Sequence, residues 1–228
     1  MGKQKTILFI ILISLFNCNS KTINDIDKAI RLIEKEYETK ASYKIGTTLK
    51  FKNKISFIEI KVKGGNIINS YDKKFIPMSN IATIAYNNIR KKFDEYRIEL
   101  IDSNNESTIK HYSLETVKLF LEKRKEFDLI NSLILKKKFD LLHKKFYPSI
   151  LNGTSKDLSN IFKNLDKEYG ECKDIIIHGY LYGNLEYNNN NYKYVAYFGI
   201  MKREISDNKI SVFIDQDTNK ILSFKLDW

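Results

Sequence analysis

Apolar residues recur along this chain at two spacings, and the spacing changes with position. Ile23, Ile26, Ile30, Ile33 and Tyr37 follow one another at intervals of three and four, which predicts one face of a helix. Asp25 and Asp27 then fall in its first turn, where they complement the helix dipole. After Gly46 the period drops to two over 48–52 and 55–62. Ile58, Ile60 and Val62 share one face there, Glu59, Lys61 and Lys63 take the other, and Gly64-Gly65 ends the strand. Ser79 is placed to cap a second helix whose stripe is Ile81, Ala82, Ala85, Ile89, Phe93 and Tyr96. Residues 97–101 and 108–112 read as strands around a turn at 102–107, so 23–112 is expected to form a small α+β unit.

Ser113 caps the next helical tract, with Leu114, Val117, Leu121, Leu129 and Leu133 on its apolar face. One straight helix to Tyr147 exceeds ordinary helix lengths, so breaks are expected near Glu126 and at Lys136, Lys137 and Lys138, and Pro148 stops helical structure. Thr154 or Ser155 starts a further helix through Leu158, Ile161, Phe162, Leu165 and Tyr169, closed by Gly170. From residue 174 onward the period is two. Strands over 174–182, 192–202, 209–215 and 221–228, joined by turn-rich links, predict an antiparallel meander. Trp228 shares a face with Leu222, Phe224 and Leu226, and its ring is expected to seal the core edge. The fold class is α+β: two small α+β units, 23–112 and 113–228. They pack closely, because two prolines in the whole chain leave no linker-like stretch.

The order of elements in the second unit resembles a known plan. Phe139-Asp140-Leu141-Leu142, Phe146-Tyr147-Pro148, the 158–169 helix ending in Gly170, and the last strand from Ile221-Leu222-Ser223-Phe224 are similar to the NTF2-like, cystatin-like superfamily over 126–228. The resemblance implies a curved sheet wrapped on a helix around a cone-shaped cavity. Some members bind or transform small molecules there, and others use the sheet for protein contacts, so the fold alone does not decide function.

The amino terminus reads as an address. Lys3 and Lys5 precede a run of mainly apolar residues, 7–16, followed by Cys18. Ten helical residues span about 15 Å, half of a bilayer core of about 30 Å, so the run is too short to cross. Leu15-Phe16-Asn17-Cys18 resembles the lipobox of bacterial lipoproteins, with Asn17 where that family carries Gly, Ala or Ser. The resemblance implies cleavage before Cys18, a diacylglycerol on its thiol and acylation, such as palmitate, on its amino group. Residues 1–17 are then a signal peptide and 18–24 a tether, and the protein is expected in the bacterial cell envelope. Asn19 in place of Asp favours the outer membrane. An ordinary cleaved signal with Cys18 as a bystander is the alternative.

The net charge of +11 drops by the two lysines of the signal. Lysines are interspersed with acids and form no dense basic block with aromatics, and with export this gives no nucleic-acid partner. Cys172 has no partner for a disulfide if Cys18 is lipidated. Cys172 and His178 are weighed as a thiolate–imidazole pair, without an orienting third group, against a small packing thiol. His178, Tyr180 and Tyr182 fall on one face of a strand by strict alternation, with Tyr192 and Tyr194 on the next, and form the candidate ligand cavity. The opposing reading is an aromatic sheet face. His111 and His143 stand apart, so no metal site and no cofactor are expected. Asn105-Glu106-Ser107 and Asn152-Gly153-Thr154 match a glycosylation sequon that carries no weight in a bacterial lipoprotein.

Three functions follow: a lipid-anchored envelope binding or interaction protein without catalysis, an NTF2-like carrier or enzyme using a sheet-lined cavity, or an envelope immunity or inhibitor protein. An enclosed cavity with His178 inside favours the second. A cone filled by side chains, beside an exposed apolar patch, favours the others.

Overall fold

A computed structural model describes residues 20–50, 53–64, 73–148, 153–187 and 190–227. Cys18, the lipobox, Gly65, Asn152 and Trp228 lie outside the described residues. Within them the chain is α+β, with two four-stranded sheets and five helices.

Helix α1 (Ser20–Tyr37) buries Ile26, Ala29, Ile30, Ile33 and Tyr37, while Ile23 is 38% exposed. It begins earlier than the apolar stripe. Asp25 and Asp27 therefore sit in the second turn and act through their side chains: Arg90 grips Asp25 at 3.1 Å and Tyr43 donates to Asp27 at 3.2 Å. Strands β1 (Ala41–Lys50) and β2 (Asn53–Lys63) pair antiparallel. Gly46 does not precede β1 but lies inside it. A Cβ there would stand 2.5 Å from the Phe57 ring, so the glycine marks a close approach rather than a boundary.

Helix α2 (Phe75–Asn88) carries the chain from β2 to β3 (Glu95–Ile101), which pair in parallel; β4 (Ser107–Ser113) returns antiparallel. The first sheet is thus mixed, in the order β1-β2-β3-β4. Ser79 does not cap α2, which starts four residues earlier with Pro77 in its first turn, a position proline tolerates. Ser79 is fully buried instead, and its hydroxyl donates to the Ile76 carbonyl and accepts from the Tyr180 amide at 2.7 Å.

Helix α3 (Leu114–Leu135) starts at Ser113, whose side chain accepts from the Thr116 amide. It runs past Glu126 without a break. Val117, Phe120, Phe127, Ile130 and Ile134 form one buried face on both sides of that point, and Glu126 itself reaches Lys145 at 3.1 Å. The expected break at the lysines is present, with Lys137 at φ 54°. Helix α4 (Phe139–His143) and α5 (Ser155–Tyr169) follow, the latter opened by a Thr154–Asp157 capping box and ended by Gly170 at φ 80°. Strands β5 (Cys172–Tyr187), β6 (Asn190–Arg203), β7 (Asn208–Asp215) and β8 (Ile221–Asp227) make the antiparallel meander, with longer β5 and β6 than their periodicity indicates.

Helices α3 to α5 cover one face of this sheet with interlocked rings. Phe127 meets Tyr197 edge-on at 4.5 Å, Phe139 stacks on Phe162 at 5.1 Å, and Phe162 contacts Phe224 at 6.0 Å. The buried Tyr197 hydroxyl donates to Asn131 Oδ1 at 2.6 Å. The two sheets meet through α2, which packs on α1 and β3 and also covers the open edge of β5. A helix laid along an edge strand shields it from pairing with another chain, and here the Ser79 hydroxyl also accepts from the Tyr180 amide.

The solvent face of the first sheet is a charge lattice. Lys44 pairs with Glu59, Lys61 with Glu99, and Glu95 holds both Arg97 (2.7 Å) and His111 Nδ1 (3.0 Å). Burial by itself raises the Glu95 carboxyl, but its bonds to Arg97 and His111 outweigh this and hold it below 4.5. On the second unit, Lys173 and Lys137 draw exposed Glu171 down to about 2. A carboxyl with a depressed folded pKa stabilises the fold above its unfolded pKa and loses that contribution as pH falls through the folded one. Melting temperature is therefore expected to fall between about pH 4.5 and about pH 2, with added salt shrinking the exposed Glu171 share. Thermal melts across that range at low and high salt check this; a flat profile would refute it.

Candidate functional site

Where the sheets approach each other, aromatic side chains from four elements converge. Phe75 at the start of α2, Lys110 and Tyr112 of β4, Phe120 of α3, and Tyr180, Leu181 and Tyr182 of β5 line a cleft of about 200 Å³. Phe120 is the hub: it stacks on Tyr180 at 5.3 Å, tilts against Tyr182 at 6.2 Å and meets Tyr112 edge-on at 6.2 Å. The buried Tyr180 oxygen accepts from Arg124 Nη1 at 3.0 Å, and Asp128 holds Arg124 from one turn on at 2.8 Å. Burial pushes the Tyr180 phenol up, with Arg124 pulling against it, and burial pushes Tyr112 up as well. Both stay neutral at physiological pH. Tyr182, 50% exposed, and the exposed Lys110 stand at the mouth. Flat aromatic walls beside one cation suit a planar group carrying negative charge.

The three cavity residues read from alternation do not stay together. An extra residue in β5 between Ile177 and Gly179 makes a bulge at His178. The register places Ile177 opposite Gly199 and Tyr180 opposite Tyr197, so Tyr180 and Tyr182 join the helix-covered face of Ile175 and Ile177, and His178 drops out of the set. Burial and the nearby Lys202 lower the His178 pKa, which favours the neutral ring. Tyr182 pairs with Val195, so Tyr192 and Tyr194 face the other way. Tyr192 packs on Tyr147 at 5.3 Å and Tyr194 on Phe213 at 5.2 Å.

Cys172 and His178 are held apart by β5 itself: six strand residues span roughly 20 Å. The Cys172 thiol donates to the Asp174 carbonyl at 3.4 Å, and burial raises its pKa, the reverse of thiolate activation. His143 Nε2 lies 2.9 Å from the Gly153 carbonyl and His111 is held by Glu95. Among the described residues no group of three His, Cys, Asp or Glu side chains has metal-binding geometry, and no helix is long and apolar enough to cross a membrane.

A second concavity, of about 540 Å³, lies between α3, α4 and the β7–β8 turn. Its floor is Leu129, Leu133 and Leu141, with Leu129 41% and Leu141 51% exposed. Lys144, Lys145 and Lys220 rim it, with Glu126 paired to Lys145. Lys123 bonds to Gln216 and Asn219, and Lys220 reaches the Lys144 carbonyl at 2.7 Å, so the turn is tied to the helices. Sequence reading passed over this groove because Leu129 and Leu133 fit the core stripe of α3. The sign it left was Leu141, directly before the buried Leu142 on a one-turn helix that hides only one side. No protein-family model, no curated protein and no solved structure matches this chain.

Proposed function

We propose that this is a lipid-anchored protein of the bacterial cell envelope, with Asn19 in place of Asp favouring the outer membrane, that works by holding a partner rather than by catalysis. One observation carries the reading. The space between the second sheet and its helices, which an NTF2-like plan would keep as a ligand cone, is occupied by Phe127, Tyr197, Phe139, Phe162 and Phe224. Recognition is then left to the surface, where the leucine groove between α3, α4 and the β7–β8 turn presents apolar area inside a lysine rim. The same groove serves an inhibitor of a secreted partner.

Two experiments test this reading. Mass spectrometry of the membrane fraction is expected to find the mature chain starting at a diacylated Cys18; a free Cys18 thiol or cleavage beyond it refutes the anchor. Leu129→Asp with Leu141→Asp, both at exposed positions, is expected to melt within about 1 kcal/mol of the parent and to lose its captured partner at least tenfold. Capture that is unchanged in this variant places the partner elsewhere.

A carrier of small molecules is the second reading, favoured by the cleft that Tyr180 and Tyr182 do line. Tyr182→Ala abolishes ligand binding in that case and leaves partner capture intact.

A further inference from the structure

The end of the first unit next to the lipobox gathers cations from three separate segments. Arg90, in the loop between α2 and β3, bonds to Asp25 in α1. Asp94, at the end of the same loop, accepts from the amide and hydroxyl of Ser56 at 2.7 Å, at the start of β2. Leu49 pairs with Lys54 near the tip of the β1–β2 hairpin, beside Thr48 and Ile55. β1 runs back along α1, with the Ala41 amide on Glu34 near the helix end and the Tyr43 hydroxyl on Asp27 nearer its start, so Leu49 and Lys54 come toward the start of α1. Lys21, Lys54, Arg90, Lys91 and Lys92 are all exposed at this end, against Asp25 and Asp94, both of which have bonding partners within the fold. Leu49 is 77% exposed, the most among the described bulky apolar residues, and Ile23 is also exposed.

Cys18 lies two positions before Ser20, the first residue of α1, a reach of at most about 7 Å. We infer that this end is a membrane-docking face that rests on anionic phospholipid headgroups of the membrane holding the anchor. The inference builds on the lipid-anchor reading and adds a second, electrostatic signal to it. With 20–24 of the expected tether taken up by α1, only residues 18 and 19 separate the acyl groups from the body, so this end meets the headgroups. Set against Asp25, which Arg90 itself holds, and Asp94, the five cations leave an excess of three positive charges to match phosphate, and Leu49 and Ile23 reach toward the acyl boundary. Each such cation near an anionic surface strengthens binding roughly fivefold, and salt weakens the effect. Docking here fixes the orientation of the body, with the leucine groove carried on the other unit.

The test uses the mature chain, residues 18–228, with Cys18→Ser, so that no lipid contributes. Vesicles of phosphatidylcholine with phosphatidylglycerol are compared with phosphatidylcholine alone by co-sedimentation. The parent is expected to bind only the anionic vesicles, and salt to release it. Lys21→Glu, Lys54→Glu and Lys91→Glu together are expected to weaken binding by about a hundredfold or more. Leu49→Ser is expected to weaken it severalfold at unchanged charge. A charge-matched control, Lys118→Glu, Lys136→Glu and Lys163→Glu, at exposed positions of the second unit outside both cavities, is expected to stay within a few-fold of the parent. Melts of every variant confirm the fold. Equal losses in the two triple variants would reduce the effect to net charge and overturn the docking face, as would a parent that ignores phosphatidylglycerol. Failure of the anchor reading shows separately, as an unmodified Cys18 in the membrane fraction.

Discussion

Replacing Gly179 with Ala is expected to lower the melting temperature by about 6–12 °C, because an added Cβ there meets the tightest contact among the described glycines. A Cβ at Gly179 would lie 2.1 Å from the Ile76 carbonyl oxygen and 2.6 Å from its carbon, and both belong to the backbone of α2. A flexible side chain could swing aside, whereas a helix must move as a body. That movement would pull Ser79 from the Tyr180 amide and Phe75 from its contact with Phe198 at 5.5 Å. Overpacking of this kind costs about 3 kcal/mol, at the upper end of the usual range, and each kcal/mol shifts a chain of this size by about 2–4 °C. Gly183→Ala is the control. Its nearest neighbour is the Tyr194 hydroxyl at 2.8 Å, the far end of a side chain, so its loss should be much smaller. If the two variants melt alike, α2 is not locked on β5.

Asp166→Ala is expected to cost about 3–5 kcal/mol, because it strands a buried charge. The Arg203 side chain is fully buried, and its Nη1 donates to Asp166 Oδ1 at 2.8 Å and to the Gly170 carbonyl at 2.8 Å. Asp166 also reaches Lys137 at 3.1 Å, but that lysine is half exposed and water replaces its partner readily. The cost therefore falls on Arg203. Removing the charge as well, in Asp166→Ala with Arg203→Met, should recover part of the loss, since the penalty of a buried unpaired ion disappears. Thermal melts of the two singles and the double close the cycle. A double variant as unstable as the sum of the singles would show that the pair is not coupled.

The site is legible in the sequence only in part. Alternation picks out Tyr180 and Tyr182, which line the cleft, but the residues that complete it come from β4, α2 and α3, distant in sequence. Phe120 was absent from the stripe read for α3, although it is buried and central. His178 was misplaced for a definite reason. One inserted residue reverses every face beyond it, and no composition signal announces a bulge.

Sequence by itself determined the local order of this protein. Helical spacing over Ile26, Ile30 and Ile33, alternation over Ile58, Ile60 and Val62, the cap at Ser113, the stop at Gly170 and the four-strand meander are all present, because each depends on near neighbours along the chain. Tertiary structure decided the rest. It placed β3 parallel to β2, made Ser79 a bridge instead of a cap, and set α2 on the edge of β5 where Gly179 leaves room. It also left Leu129 and Leu141 uncovered. Periodicity states which face of an element is apolar; which other element comes to cover that face depends on contacts a hundred residues away, and those are settled only when the whole chain packs.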